Sequence, residues 1–148
     1  MQIVIHTDGA AQGNPGKGGY GVVLQSGKNY KELSQGFKYT TNNRMELLAV
    51  IVALEAIKDG GANVLVVSDS KYVVDAVEKK WLFGWEKKNF AKKKNPDLWK
   101  RFLPVYRKHK VALKWIKGHA GHPLNERCDE LAVQAANSSD LLVDKYYE

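Results

Sequence analysis

The run MELLAVIVALEAIKD, from Met45 to Asp59, sets the strongest limit on the fold. It has the length and composition of a helix and is apolar on most sides. Such a helix must be packed deeply, and Gly60-Gly61 is expected to stop it. Around it lie shorter apolar runs. Ile3, Val4 and Ile5 predict a buried first strand ending near Asp8. GYGVVLQS and NYKELSQGF predict two more strands, with Gly27-Lys28-Asn29 turning between them. NVLVVSD reads as a fourth strand, closed by Asp69, and SKYVVDAVEKK as the helix after it. VALKWIKG is a strand whose faces alternate: Val111, Leu113 and Trp115 against Ala112, Lys114 and Ile116. NERCDELAVQAA is the last helix. The order βββαβα, a basic region, then βα predicts an α/β fold with a mixed sheet, an antiparallel meander first and crossovers later.

At 148 residues the chain suits a single domain over 1–148, and 44% hydrophobic residues support a real core. One cysteine, Cys128, excludes an internal disulfide and fits a reducing compartment. No apolar run is long enough for a bilayer, and MQIVIHTDG lacks the basic head and apolar centre of a secretory signal. A cytoplasmic protein without a membrane partner is the expectation. The formal net charge is +7, and its distribution is uneven. From Lys79 to Arg101 there are nine Lys/Arg and two acids, while the rest of the chain holds fourteen of each. A concentrated basic patch is the usual footprint of a polyanion partner.

Three acids occupy comparable places. Asp8 ends the first strand, Asp69 ends the fourth, and Glu46 starts the long helix. Carboxyl ends of parallel strands gather at one sheet edge, so Asp8 and Asp69 are adjacent if their strands pair. Each acid has an ordinary reading when taken singly. Asp69 could be an N-cap, Asn43-x-x-Glu46 a capping box, Asp8-Gly9 a turn, and Asp129, beside Glu126 and Glu130, a solvated helix residue. Together these readings weaken. Converging carboxylates raise one another's pKa and are costly without a cation. Oxygen ligands suit Mg²⁺ or Mn²⁺. A zinc site from His119, His122 and Cys128 matches no common spacing.

The glycines of DGAAQGNPGKGG remove side chains beside Asp8. No Gly-Lys-Ser/Thr follows and no helix opens there, which excludes a P-loop and a dinucleotide fingerprint. The stretch reads either as a flexible lead into a hairpin or as room for a bulky polyanion beside a metal.

TDGAAQGNPGKGGYG, TTNNRMELLAVIVALEA, VVSDSKYV and KWIKGHAGHPLNERCDELA together resemble the type I ribonuclease H family, of the bacterial ribonuclease HI group, from about Ile3 to Ala136. The resemblance implies a five-stranded mixed sheet flanked by helices and an endonuclease that cuts the RNA strand of RNA–DNA hybrids. By motif it implies a metal-holding quartet of Asp8, Glu46, Asp69 and Asp129. It also implies two-metal hydrolysis with Mg²⁺, or Mn²⁺ as a substitute, leaving 3′-hydroxyl and 5′-phosphate ends. His119, in GHAGH, matches a family histidine that shuttles a proton or assists product release; otherwise it is a loop histidine bonded to backbone. His122 reads as structural, and His6 and His109 carry no functional argument.

The resemblance extends to substrate contacts. Asn14 and Asn42 match positions that touch the RNA strand, where an amide can both donate to and accept from a 2′-hydroxyl. Thr41 and Asn43 match a pocket for a DNA phosphate at a helix N-terminus, where Arg44 adds charge or lies exposed. Lys71 departs from the glutamine common in related enzymes, and a lysine can donate but not accept. The segment of about 79–101 resembles a basic substrate-binding protrusion present in some members. Trp81 and Trp85, spaced i, i+4, form a ridge there that packs internally or meets a DNA sugar. Lys87, Lys88, Lys92, Lys93 and Lys94 are phosphate contacts or a solvated face. Phosphate contacts make cleavage largely independent of sequence. A monomer is expected. The competing readings are a non-catalytic duplex-binding module, which has no use for clustered acids facing phosphate, and a transposase or integrase core, which lacks GHAGHPLNERCDELA.

Overall fold

The computed structural model describes residues 2–145. The meander is β1 (Gln2–Gln12), β2 (Gly16–Ser26) and β3 (Asn29–Thr40), followed by the long helix α1 (Asn42–Glu55). Then come β4 (Asn63–Ser68), α2 (Lys71–Glu78), α3 (Trp81–Lys87), α4 (Pro96–Lys108), β5 (Lys110–Trp115), α5 (Pro123–Ala136) and β6 (Leu141–Leu142). The sheet order is β5-β4-β1-β2-β3-β6. β1 runs antiparallel to β2 and parallel to β4, and β4 runs parallel to β5. This is the expected mixed sheet with one addition. The five expected strands are joined by β6, two residues that extend the β3 edge in parallel. A strand of two residues has no periodicity to read.

Alternate side chains of the central strands feed two cores. Ile5, Val22, Val64 and Val66 pack with α1, α2 and α4. Val23, next in sequence to Val22, packs with Cys128 and Leu131 of α5 on the opposite face. The long helix is buried as its composition demands: Leu47, Ala49, Val50, Ile51 and Ala53 are wholly inaccessible. It ends at Glu55 with Ala56 as its cap, before the glycine pair expected to stop it.

The glycine stretch is not a loop. β1 continues past Asp8 to Gln12 and returns as β2 from Gly16, with a turn at Gly13–Pro15. A Cβ on Gly19 would lie 2.5 Å from Ala132 O, and one on Gly21 2.2 Å from Cys128 O. These glycines admit the backbone of α5 against the sheet, so the space they clear is filled by protein.

The basic segment is helical on both sides of a turn. α3 and α4 flank residues 88–95, where Asn89, Phe90, Lys92 and Asn95 take left-handed backbone conformations. Trp99 is its buried anchor, meeting Trp85 edge-on at 5.9 Å and Phe102 at 5.6 Å. Val111 is partly buried and Leu113 fully so, but Trp115, expected on the same face, is 40% exposed beyond the edge of the core. Among the described residues no helix is long and apolar enough to cross a membrane.

Candidate active site

The parallel pairing of β1 with β4 sets Thr7 beside Ser68. The next residues, Asp8 and Asp69, therefore leave adjacent strand ends together. Glu46 comes from α1 above them. One carboxylate oxygen from each of the three lies within 4.8 Å of the others. Asp129, from α5, completes a groove of about 430 Å³ that also takes in Asn42, Asn43, Lys71, Tyr72 and His119.

Neither cap reading of the acids holds. The N-cap of α1 is Thr41, whose hydroxyl accepts from Arg44 N–H at 3.2 Å. The N-cap of α2 is Ser70. Glu46 instead accepts from Gly9 N–H through Oε1 at 2.8 Å, and the same N–H donates to Asp8 Oδ1 at 2.9 Å. Gly9 is required there, since a Cβ would stand 2.4 Å from Glu46 N. Glu46 Oε2 is buried with no hydrogen-bond partner. A buried carboxylate oxygen without a donor is costly unless something positive meets it.

The electrostatics agree. Burial pushes Asp8 up to about 7, with Asp69 and Asp129 adding to the rise and a hydrogen bond with Glu46 opposing it. Glu46 is raised well above the carboxylate range, first by burial and then by Asp8 and Asp69. Asp69 is also raised by burial, partly offset by a backbone hydrogen bond and then by His119. Three carboxylates that resist ionisation together form a site for a hard cation. The all-oxygen set fits Mg²⁺ or Mn²⁺, and Glu46 Oε2 supplies an uncommitted ligand atom. The zinc alternative does not assemble. Cys128 is buried, its thiol donates to His6 O at 3.2 Å, and burial pushes it up to about 12.

His119 is exposed on the loop between β5 and α5, at φ 55°. His122 is exposed too, at the start of α5, without a side-chain cap bond. Asn14 and Asn42 are joined: Asn14 Oδ1 accepts from Asn42 N–H at 3.1 Å, and Asn42 Oδ1 accepts from Ala11 N–H at 2.6 Å. Both amide oxygens thus already serve backbone donors. Thr41, Asn43, Asn14 and Lys94 line a second groove of about 660 Å³ at the start of α1. Arg44, expected to add charge to this region or lie exposed, is 2% exposed and bound to Asp97 and Asp144.

In the basic segment, Trp81 is 50% exposed while Trp85 is partly buried against Trp99. The two readings of the ridge thus divide between its members. Lys92, Lys93 and Lys94 border a depression of about 340 Å³ with Trp81, Trp85 and Tyr72. Lys87 and Lys88 are exposed at the end of α3 and do not line the three hollows described above.

Three contributors were not legible in the sequence. Gly118 makes room for Asp69, since a Cβ there would lie 2.5 Å from Asp69 Oδ2. Tyr72 Oη accepts from Trp99 Nε1 and Asn95 Nδ2, both at 3.0 Å, and so ties the carboxylate groove to the basic segment. Trp115 Nε1 donates to Asp69 O at 3.0 Å. Only the clustering of Gly118 and Trp115 around the GHAGH motif could have signalled two of them.

Comparison with known proteins accounts for this arrangement. An RNase H family model matches residues 1–137. A ribonuclease H of Desulforamulus reducens is 53% identical over 148 residues, covering 97% of this chain and 92% of that protein. One of Shewanella amazonensis is 51% identical over 152 residues, covering 99% and 96%. The crystal structure of LC9-RNase H1, described as a type 1 RNase H with the type 2 active-site motif, superposes with a TM-score of 0.83 at 31% identity, covering 99% of this chain and 78% of that one. LC11-RNase H1 in complex with RNA/DNA hybrid gives 0.66 at 30%, covering 90% and 96%. The sequence match over nearly the whole length and the shared sheet lead to one assignment: this chain belongs to the type 1 ribonuclease H family of enzymes.

Proposed function

We propose that the chain is a single-domain endonuclease that hydrolyses the RNA strand of RNA–DNA hybrids, as a cytoplasmic monomer, leaving 3′-hydroxyl and 5′-phosphate ends. The observation that carries this reading is the convergence of Asp8, Glu46 and Asp69, with a buried unpartnered oxygen on Glu46, at the floor of an open groove. LC11-RNase H1, a relative by fold and sequence, is known in complex with RNA/DNA hybrid.

Asp8, Glu46, Asp69 and Asp129 would hold divalent metal, two Mg²⁺ ions with substrate bound or Mn²⁺ in their place. Bound there, the metal supplies an activated water and charge stabilisation for in-line attack on phosphorus. The rest is the work of this chain's own groups. The Gly9 N–H fixes the carboxylates of Asp8 and Glu46 before substrate arrives, so little reorganisation is needed during reaction. His119, exposed at the rim, moves a proton to the leaving 3′-oxygen through its imidazole nitrogen and helps product leave. Asn14 and Asn42 meet the RNA strand through side-chain amides whose orientation is fixed by the backbone N–H groups that their oxygens accept. Each keeps its Nδ2 donors, and one lone pair on its oxygen, for a 2′-hydroxyl.

Thr41 and Asn43, with Lys94 across the second groove, take a phosphate of the DNA strand. The segment 79–101 is the binding protrusion. Trp81 offers an exposed ring to the duplex, Trp85 props the protrusion, and Lys87, Lys88, Lys92 and Lys93 contact phosphates. Lys71 lines the catalytic groove as a further substrate contact.

The test uses end-labelled RNA–DNA, RNA–RNA and DNA–DNA duplexes with Mg²⁺ and with chelator. The expected result is cleavage of the RNA strand of the hybrid alone, abolished by chelator. Equal cutting of RNA–RNA, or cutting in chelator, would sink the reading.

A further inference from the structure

Lys71 stands in an unusual position for a lysine. It is the first residue of α2, where the helix dipole disfavours a cation, and it lines the groove that holds Asp8, Glu46, Asp69 and Asp129. Yet among the described residues it forms no ion pair with any of these acids. Its ammonium lies instead over the ring of Trp115, 4.7 Å from the centroid. Trp115 is itself fixed from below, its indole N–H donating to Asp69 O at 3.0 Å, although the ring is 40% exposed. A large exposed aromatic at the end of an edge strand adds little to the core. What it does is hold a cation at the rim of an acidic groove without letting it fall onto the carboxylates. A cation stacked on a ring keeps its N–H groups available.

We infer that Lys71, positioned by Trp115, takes a backbone phosphate of the strand being cut, and that Trp115 serves the enzyme through Lys71. The ligand chemistry follows from the site. Lysine has three donors and no acceptor, so it cannot read a base edge or hydroxyl in both directions as an amide does. A non-bridging phosphate oxygen meets it as a point charge. The carboxylate groove accepts the strand that is hydrolysed, so the phosphate belongs to that strand. This inference rests on the proposed hybrid-cleaving function.

The experiment measures binding of a labelled RNA–DNA hybrid by fluorescence anisotropy in chelator, across a series of salt concentrations. The proteins are the wild type, Lys71→Gln, Lys71→Arg, Trp115→Leu and Lys71→Gln/Trp115→Leu. For Lys71→Gln the slope of log Kd against log salt falls by about 0.7–0.9, the signature of one lost phosphate contact. Affinity at low salt weakens about five- to tenfold. Lys71→Arg keeps the slope. Trp115→Leu weakens binding about two- to fivefold, since the cation is no longer stacked in place, and adds nothing once Lys71 is gone. The melting temperature of each variant, taken alongside, identifies any loss that comes from unfolding. An unchanged slope in Lys71→Gln would show that Lys71 merely neutralises the acids and overturn the inference. A Trp115→Leu cost that persists in the double variant would overturn the positioning role. If the wild type binds double-stranded DNA as well as it binds the hybrid, the parent function fails instead.

Discussion

The guanidinium of Arg44 grips both carboxylate oxygens of Asp144, a hundred residues downstream, with Nε to Oδ2 at 2.7 Å and Nη2 to Oδ1 at 2.9 Å. Its remaining donors go to Asp97, at 3.0 and 2.7 Å, and to Asn95 at 3.1 Å. Thr40 Oγ1 also donates to Asp144. One buried cation thus joins the start of α1, the start of α4 and the segment after β6. Asp144→Ala removes one of the two carboxylates that meet the buried Arg44, which keeps Asp97 and Asn95. The expected cost is about 2 kcal/mol, read as a fall of roughly 4–8 °C in thermal melting for a domain of this size. Asp144→Asn, which keeps the shape, costs less. A melting temperature within a degree of wild type for Asp144→Ala would show that the pair contributes nothing net.

The carboxylate cluster makes stability depend on pH in an unusual direction. Burial lifts Asp8 from an ordinary 3.8 to about 7, and Glu46 is lifted with it. The folded protein therefore holds protons that the unfolded chain has released between about pH 4 and 7. Stability from these groups is complete below pH 4 and is lost as pH rises through 7. Metal-free Asp8→Asn escapes this loss. Its melting temperature should exceed that of metal-free wild type by an amount that grows from pH 4 to pH 7, reaching about 1–2 kcal/mol, or roughly 2–8 °C. Mg²⁺ should stabilise the wild type by mass action and the variant far less. Activity of Asp8→Asn, or of Asp69→Asn, should be lost while hybrid binding remains. A difference that shrinks with pH would contradict the assigned electrostatics.

Much of this was legible along the chain because it depends on short-range pattern. The short apolar run of NVLVVSD and the apolar MELLAVIVALEA set the element order, and the strand-end acids Asp8 and Asp69 followed from it. Asp129 looked solvated on α5 until motif resemblance singled it out, because nothing local tells which face of that helix meets the sheet edge. The glycines after Asp8 read as a loop, since glycine is poor in strands; the contacts that reward them are remote, Glu46 of α1 for Gly9 and Ala132 of α5 for Gly19. Arg44 read as exposed or phosphate-facing for the same reason, its partners Asp97 and Asp144 being remote. Helix α4 carries an intact apolar stripe of Leu98, Trp99, Phe102, Leu103 and Tyr106, which the reading of 79–101 as a basic protrusion passed over. Its anchor, Trp99, declares itself only through Tyr72, Trp85 and Phe102 packed around it.

His119 is placed to act late in turnover. It is exposed on the loop before α5, and its effect on Asp69 is electrostatic. Its exposed ring makes no protein hydrogen bond among the described residues, so removing it disturbs little of the fold. His119→Ala should lower kcat by about a hundredfold with the melting temperature and hybrid affinity unchanged. Single-turnover and multiple-turnover rates separate proton transfer from product release. A variant as fast as wild type in both would remove His119 from the catalytic set.

Lys92, Lys93 and Lys94 test whether the protrusion grips the duplex electrostatically. All three are exposed, and Lys93 is stacked 5.0 Å above Trp85, which holds its charge outward from a partly buried ring. No acid is paired with them among the described residues. The nearby acids are spent elsewhere, Asp97 on Arg44 and Glu86 on Arg107. The triple alanine variant should raise KM strongly at physiological salt and leave kcat near wild type, because none of the three lies in the carboxylate groove. The slope of log KM against log salt should fall by about two units if two to three phosphates are lost. An unchanged KM would mean that the duplex lies against another face, with the exposed ring of Trp81 then left without a role.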